Sequence, residues 1–458
     1  MVNFMNRAAT NSALYSAKAT SNDTFAPKIN NPTQPHSDGK PQGAGGHISA
    51  IIIGAGQAGL SMSYCLTQQG IDNIILEKSS RIAENWRSGR WDSFCLVTPN
   101  WQCQLPGFSY QGSDPGGFMV KDEIIEYLEG YQAFFNPTII FNSPVISLTK
   151  NADVFTVITA DAIYTADQVV IACGSYHEPR FPACAQKLPA HIAQVHSQFY
   201  KNPQQLPPGD VLVVGTGQSG AQIAEDLHLA GRRVHLCVGP APRVNRRYRG
   251  KDVVNWLEEM GYYQTTLETH PDGKNAVHST NHYVTGRDGG RDLNLRIFAE
   301  QGMQLYGGLR DADAENLWFK DDLQQNLDYA DQVAARIVES IEAYIQKNAI
   351  EAPADTNIHS TYLPPLVDHL DLAASGIQAV VWCTGFNMRF EWIKLPVLAE
   401  GYPQQKRGVT DVEGLYFLGL NWMHTWGSGR FYHVGRDAEY LSDVMAEVAA
   451  KTAQQPVM

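Results

Sequence analysis

Ile51-Ile52-Ile53-Gly54-Ala55-Gly56-Gln57-Ala58-Gly59 is the stretch on which the reading of the fold turns. An apolar run of β-branched residues predicts a buried strand, and the helical pattern that follows stops near Gly70. Between them, Gly54 permits a tight turn, Gly56 lets the backbone approach a pyrophosphate, and Gly59 lets helix and strand pack closely. The free N–H groups at the helix start then face the phosphates. A second strand, Asn73-Ile74-Ile75-Leu76, ends in Glu77, 23 residues after Gly54. That is the spacing of a carboxylate that holds a ribose hydroxyl.

The arrangement recurs. Val211-Leu212-Val213-Val214 leads into Gly215-Thr216-Gly217-Gln218-Ser219-Gly220, a helical pattern over Ala221 to Ala230, and a strand from Val234. Here the second strand ends in Cys237-Val238-Gly239 and has no acid. Beyond it, Arg243, Arg246, Arg247, Arg249 and Lys251 put five cations into nine residues. An acid would repel a 2′-phosphate and arginines would pair with it, so Arg243, Arg246 and Arg247 point to NADP at this second site. The run also fits a solvated loop.

Working outward, apolar runs at Ile48–Ile53, Asn73–Leu76, Gln168–Ala172, Val211–Val214, Val234–Val238, Ala379–Trp382 and Leu415–Leu418 read as buried strands. They predict an α/β fold with parallel sheets and two Rossmann-like dinucleotide-binding domains. Residues 1–46, polar and without hydrophobic period, read as a disordered leader. Met1 to Thr20 lacks the apolar core of a secretory signal, and a cytoplasmic protein is expected. No run of 18 apolar residues indicates a membrane span. The 458 residues carry a net charge of −12, which disfavours a nucleic-acid partner. Seven cysteines without a CxxC pair argue against a disulfide framework, a zinc ribbon or a dithiol redox centre, and no metal site is expected.

Two glycine motifs about 160 residues apart, the first with an acid and the second with arginines, resemble the flavin-containing monooxygenases. Trp86, nine residues after Glu77, matches the family's flavin-adjacent tryptophan. Arg90-Trp91-Asp92-Ser93 and Leu105-Pro106-Gly107-Phe108 match its next blocks. Ala172-Cys173-Gly174 and Cys383-Thr384-Gly385 match its two crossings between domains, and Gly427-Ser428-Gly429 matches the segment beside the flavin ring. Of the family fingerprint, His196 and Tyr200 are in place, while Ala190 and Ile192 stand where Phe and Gly are usual.

The resemblance implies FAD at the first site, contacted by Gly54, Gly56, Gln57, Ala58, Gly59, Glu77, Trp86, Gly174, Gly385, Gly427 and Ser428. It implies NADPH at the second, contacted by Gly215, Gly217, Gln218, Ser219 and Gly220 with the arginines. The FAD domain would comprise residues 47–205 and 375–458, with the NADPH domain, 206–374, inserted. The implied activity is that of an NADPH-dependent monooxygenase that transfers one oxygen of O2 to a small organic substrate through a C4a-peroxyflavin. Simple oxidation or reduction, halogenation, and a cofactor-binding redox sensor are the alternatives.

Val97 stands where eukaryotic members carry an asparagine, so Thr98 and Asn100 are the candidate catalytic hydrogen-bond donors; either also suits a turn around Pro99. His196 and Tyr200 are spaced to share a helical face. Trp422, His424 and Trp426 are candidate pocket aromatics or core. Asn281–Tyr283 and Gly286–Asp292 read as a mobile loop over the nicotinamide or as a surface turn with local ion pairs.

Overall fold

The computed structural model describes residues 43–278 and 280–454. All but the last four residues of the expected leader lie outside that range, and the first strand begins inside the leader, at Gly43.

Two sheets organise the chain. The first is built from β1 (Gly43–Ile53), β2 (Asn73–Leu76), β3 (Ile139–Ile140), β4 (Val145–Asn151), β5 (Val154–Thr159) and β6 (Ala162–Ile171), in the order β3-β2-β1-β6-β5-β4. The second has the order β7-β11-β8-β9-β10, where β7 is Ala193–His196, β8 Asp210–Val214, β9 Val234–Cys237, β10 Gln304–Tyr306 and β11 Ile377–Trp382. Every pairing in this second sheet is parallel. A last strand, β12 (Leu415–Phe417), pairs in parallel with the end of β6, on residues 169–171, while β5 pairs antiparallel with residues 163–166.

All seven strands expected from apolar runs are present. Ile51 and Ile52 of β1 are fully buried, one on each face, because helices cover one side and other strands the second. Burying each such side chain stabilises the fold by roughly 1.5–3 kcal/mol. The helices longer than ten residues are α1 (Gln57–Gln68), α2 (Lys121–Phe135), α3 (Gln218–Leu229), α4 (Leu323–Lys347) and α5 (Val434–Gln454), among the described residues.

Sequence boundaries and sheet membership differ in one respect. β7 and β11 come from stretches assigned to the FAD domain, yet both are hydrogen-bonded into the second sheet, where β11 joins β7 to β8. Among the described residues, no helix is long and apolar enough to cross a membrane.

Candidate functional site

The two glycine motifs fold as copies. After β1, Gly54 takes a positive φ of +109°, and after β8 Gly215 takes +104°. A side chain at either would strike the next crossing: a Cβ on Gly54 would lie 2.8 Å from the Ala172 carbonyl oxygen, and one on Gly215 2.7 Å from that of Cys383. These crossings are themselves tied to the motif strands, since Ala172 N–H donates to Ile53 and Cys383 N–H to Val214. The third glycines are equally confined, because a Cβ on Gly59 or Gly220 would come within 1.8 Å of the carbonyl oxygen of Gly54 or Gly215.

The middle glycines are different. Gly56 and Gly217 are the N-caps of α1 and α3, neither helix start has a side-chain cap, and a Cβ at either glycine would meet open space. The geometry leaves uncapped N–H groups over an open cradle, which suits a pyrophosphate.

Glu77 follows β2 as expected, and its carboxylate is oriented by backbone: Oε2 accepts from Ala55 N–H at 2.7 Å and Oε1 from Ser79 N–H at 2.8 Å. Gln57, at the start of α1, joins three segments expected around one ring. Its Nε2 donates to the Gly429 carbonyl at 3.1 Å and its Oε1 accepts from Trp86 Nε1 at 3.4 Å. Trp86 stacks on Phe431, with ring centroids 5.5 Å apart. Ala58 is buried against Gly419, whose Cβ position it would block. Gly174 and Gly385 hold positive φ at the ends of the crossings. Ser428 is fully buried and turns its hydroxyl back on its own loop, accepting from the N–H groups of His424 and Thr425. Gly427 is required there because a Cβ would lie 2.6 Å from the His433 ring. At the second motif, Gln218 Nε2 donates to the Val284 carbonyl at 2.5 Å, and half-buried Ser219 follows it in the first turn of α3.

Several expectations are corrected. Arg246 is 1% exposed: its guanidinium pairs with Asp252 at 2.6 Å, donates to the Val97 carbonyl and lies over Phe118. Arg243 is also buried, and pairs with Asp331 at 2.7 Å and with Asn245. Both are structural ion pairs, because a buried guanidinium is stable only with its partners in place. Of the three, Arg247 alone is exposed, donating to the Gly289 carbonyl.

Asn100 is buried and its amide is spent on local backbone, Nδ2 to the Asp114 carbonyl and Oδ1 from Met119 N–H. It staples a loop, with one Nδ2–H spent on the Asp114 carbonyl and Oδ1 on Met119. Thr98 is half-buried beside it. His196 and Tyr200 share no helix: His196 ends β7 and contacts the Gly385 carbonyl, while Tyr200 donates to Asp226 at 2.7 Å. Burial pushes the His196 pKa down to about 4. The polar loop, read as mobile or as a surface turn with local ion pairs, is pinned by long-range pairs, Arg287 to Asp226 at 2.7 Å and Arg291 to Glu225 at 2.9 Å. Trp422 is core against His270, whereas Trp426 is half-buried, donates to Asn281 and lies under Arg430.

Sequence reading missed Arg90 as a site residue. Its guanidinium lies 5.1 Å from the Trp86 ring centroid, 5.4 Å from Phe94 and 5.7 Å from Tyr176, a cation in an aromatic frame beside the first motif. An arginine four residues after the tryptophan was the available signal. The seven cysteines are free, and burial raises the thiol pKa of Cys173 and Cys383 at the crossings.

The comparisons agree with this geometry. The family model described as pyridine nucleotide-disulphide oxidoreductase matches residues 51–284. Over 397 residues the chain is 34% identical to an uncharacterized oxidoreductase, CzcO-like, of Geobacillus kaustophilus, covering 86% of this chain and 97% of that protein. It is 32% identical over 190 residues to the probable indole-3-pyruvate monooxygenase YUCCA4 of Arabidopsis thaliana, covering 41% of this chain and 46% of that protein. The fold matches a flavin-containing monooxygenase from Stenotrophomonas maltophilia with a TM-score of 0.61 and 18% identity, over 88% of this chain and 99% of that one. With both glycine turns, the crossings behind them and the full-length relative in agreement, the chain belongs to the pyridine nucleotide-disulphide oxidoreductase family and has the flavin-containing monooxygenase fold that its motifs resemble.

Proposed function

We propose that the protein is an FAD- and NADPH-dependent monooxygenase that transfers one oxygen atom of O2 to a small organic substrate. The observation that carries the reading is the duplicated glycine turn, with an open cradle at Gly56 and at Gly217. The residues fit the two dinucleotides: uncapped helix N–H groups suit both pyrophosphates, and the oriented carboxylate of Glu77 suits a ribose. When bound, flavin supplies the hydride acceptance and oxygen activation that no side chain can perform.

The chain's own part is binding, orientation and exclusion of water. Gln57 fixes Trp86 and Gly429 relative to α1, and the aromatic frame of Trp86, Phe94 and Phe431 makes a dry wall on that side. Arg90, held over three rings, is a positioning cation for an electron-rich or anionic group. NADPH over NADH rests on the absence of an acid after β9 and on exposed Arg247. We also place the division between the FAD and NADPH domains at the two crossings, near residues 174 and 384, because β7 and β11 belong to the second sheet.

The test is NADPH consumption by flavin-loaded protein with and without O2, over a panel of candidate substrates. Oxygen-dependent NADPH consumption with one labelled oxygen in the product is the expected result. Flavin reduction that yields only hydrogen peroxide assigns an oxidase or reductase, halide-dependent product assigns a halogenase, and no flavin reduction at all leaves a redox sensor.

A further inference from the structure

Neither dinucleotide motif uses a polar cavity at the start of α5. It has a volume of about 190 Å³ and its walls include Arg407, His424, Thr425, His433, Arg436 and Asp437. His433 and Asp437, one helical turn apart, are 1% and 2% exposed. His433 Nε2, Asp437 Oδ2 and Arg407 Nε nevertheless have no hydrogen-bond partner. An unmatched buried donor or acceptor is costly, so His433 Nε2 and Asp437 Oδ2 on one cavity point to a polar ligand.

The walls define its chemistry. Arg407 stands 3.8 Å from Asp437 Oδ1 and is supported on the Tyr440 ring, and Arg436 is exposed and donates to Gln264 Oε1. Thr425 Oγ1 lies 2.7 Å from His433 Nδ1; with that hydroxyl donating, Nε2–H faces the cavity as a donor. Burial holds His433 neutral, with a pKa of about 4, and lowers that of His424 as well. Lys406 and Glu268, the latter facing His424, pair with each other at 3.5 Å. Two arginines face one carboxyl, so the lining is net positive in either protonation state of Asp437 and suits an anion.

We propose that this cavity binds a small monocarboxylate, its oxygens paired with Arg407 and Arg436 and completed by His433 Nε2–H and the protonated carboxyl of Asp437. Four donors meet the four lone-pair directions of one carboxylate. At about 30 Å³ per displaced water the volume suits an acid of a few carbons. Affinity rises as pH falls through about 6, where burial holds the Asp437 carboxyl, because an ionised Asp437 repels the ligand. Thr425 and Ser428 share their loop with Gly429, the carbonyl of which accepts from Gln57, so the ligand sits behind the first dinucleotide motif.

Isothermal titration of acetate into the full-length protein at constant ionic strength tests this without turnover. Saturable one-to-one binding, about tenfold tighter at about pH 5.5 than at about pH 7.5, is expected. Formate should compete, and chloride and sulfate should not. Arg436→Gln, a change at an exposed side chain, should weaken acetate about tenfold. Asp437→Asn should bind tightly and equally at both pH values. Absence of saturable heat at either pH, equal competition by chloride, or unchanged affinity in Arg436→Gln would overturn the proposal. Failure here would leave the dinucleotide reading intact, since none of these residues belongs to a glycine motif.

Discussion

Arg246 carries its charge into the interior, where Asp252 and the Val97 carbonyl replace water. Removing one partner of a buried pair strands the other, at a cost of about 3–5 kcal/mol. Arg246→Ala should therefore lower the unfolding midpoint in urea sharply, and any loss of NADPH binding should track the loss of folded protein. Arg247 is exposed, and its replacement should act on the cofactor instead. Arg247→Ala is expected to raise the KM for NADPH about tenfold while leaving that for NADH unchanged, by loss of a charge-assisted phosphate contact. Equal effects on both coenzymes in steady-state kinetics would remove Arg247 from the site. Asn100 teaches the same lesson as Arg246: a polar residue in the right neighbourhood had already been claimed by backbone partners.

The strand–glycine–helix element separates two kinds of glycine. Gly59 is confined by the Gly54 carbonyl, whereas Gly56 faces open space. Gly59→Ala should destabilise the folded protein and reduce soluble yield. Gly56→Ala should fold with the melting temperature of the flavin-stripped parent yet purify with little flavin, read from the ratio of absorbance at the flavin and protein bands, because the methyl group occupies the place of the pyrophosphate. Helix α3 carries a second constraint. Asp226 on it accepts from Ser93 at 2.6 Å, Tyr200 at 2.7 Å and Arg287 at 2.7 Å, and so ties the first motif's neighbourhood to the second sheet. Its spacing from Gly215 gave no hint of this, since all three partners are distant in sequence.

For the molecule as a whole, buried titratable groups set the pH range of stability. His196 and His433 are each 1% exposed and are pushed from 6.5 down to about 4. The unfolded chain takes up protons that the folded chain refuses, so stability present above pH 6.5 is lost as pH falls to about 4, on the order of 3 kcal/mol for each histidine. Asp437 works in the opposite direction: burial raises it from 3.8 to about 6, so its contribution is present below 3.8 and lost as pH rises through 6. Urea unfolding of Asp437→Asn should accordingly show greater stability than the parent at about pH 8 and none of that advantage near pH 4. A constant difference across this range would exclude the burial cost as its cause.

Much of this architecture was legible in the chain because it is local. Apolar runs of four to six residues, glycines at fixed offsets and Glu77 at the end of β2 specify two strand–turn–helix units, and each is where the spacing put it. The family resemblance followed from the same offsets. What depended on tertiary structure was the fate of each polar side chain. Arg243, Arg246 and Asn100 turned inward, Arg287 and Arg291 crossed to α3, and Arg407, His433 and Asp437 gathered around one cavity. The physical reason is that backbone geometry is fixed by neighbours in sequence, whereas the partner of a charge is fixed by whatever long-range packing brings within 3 Å and removes from water.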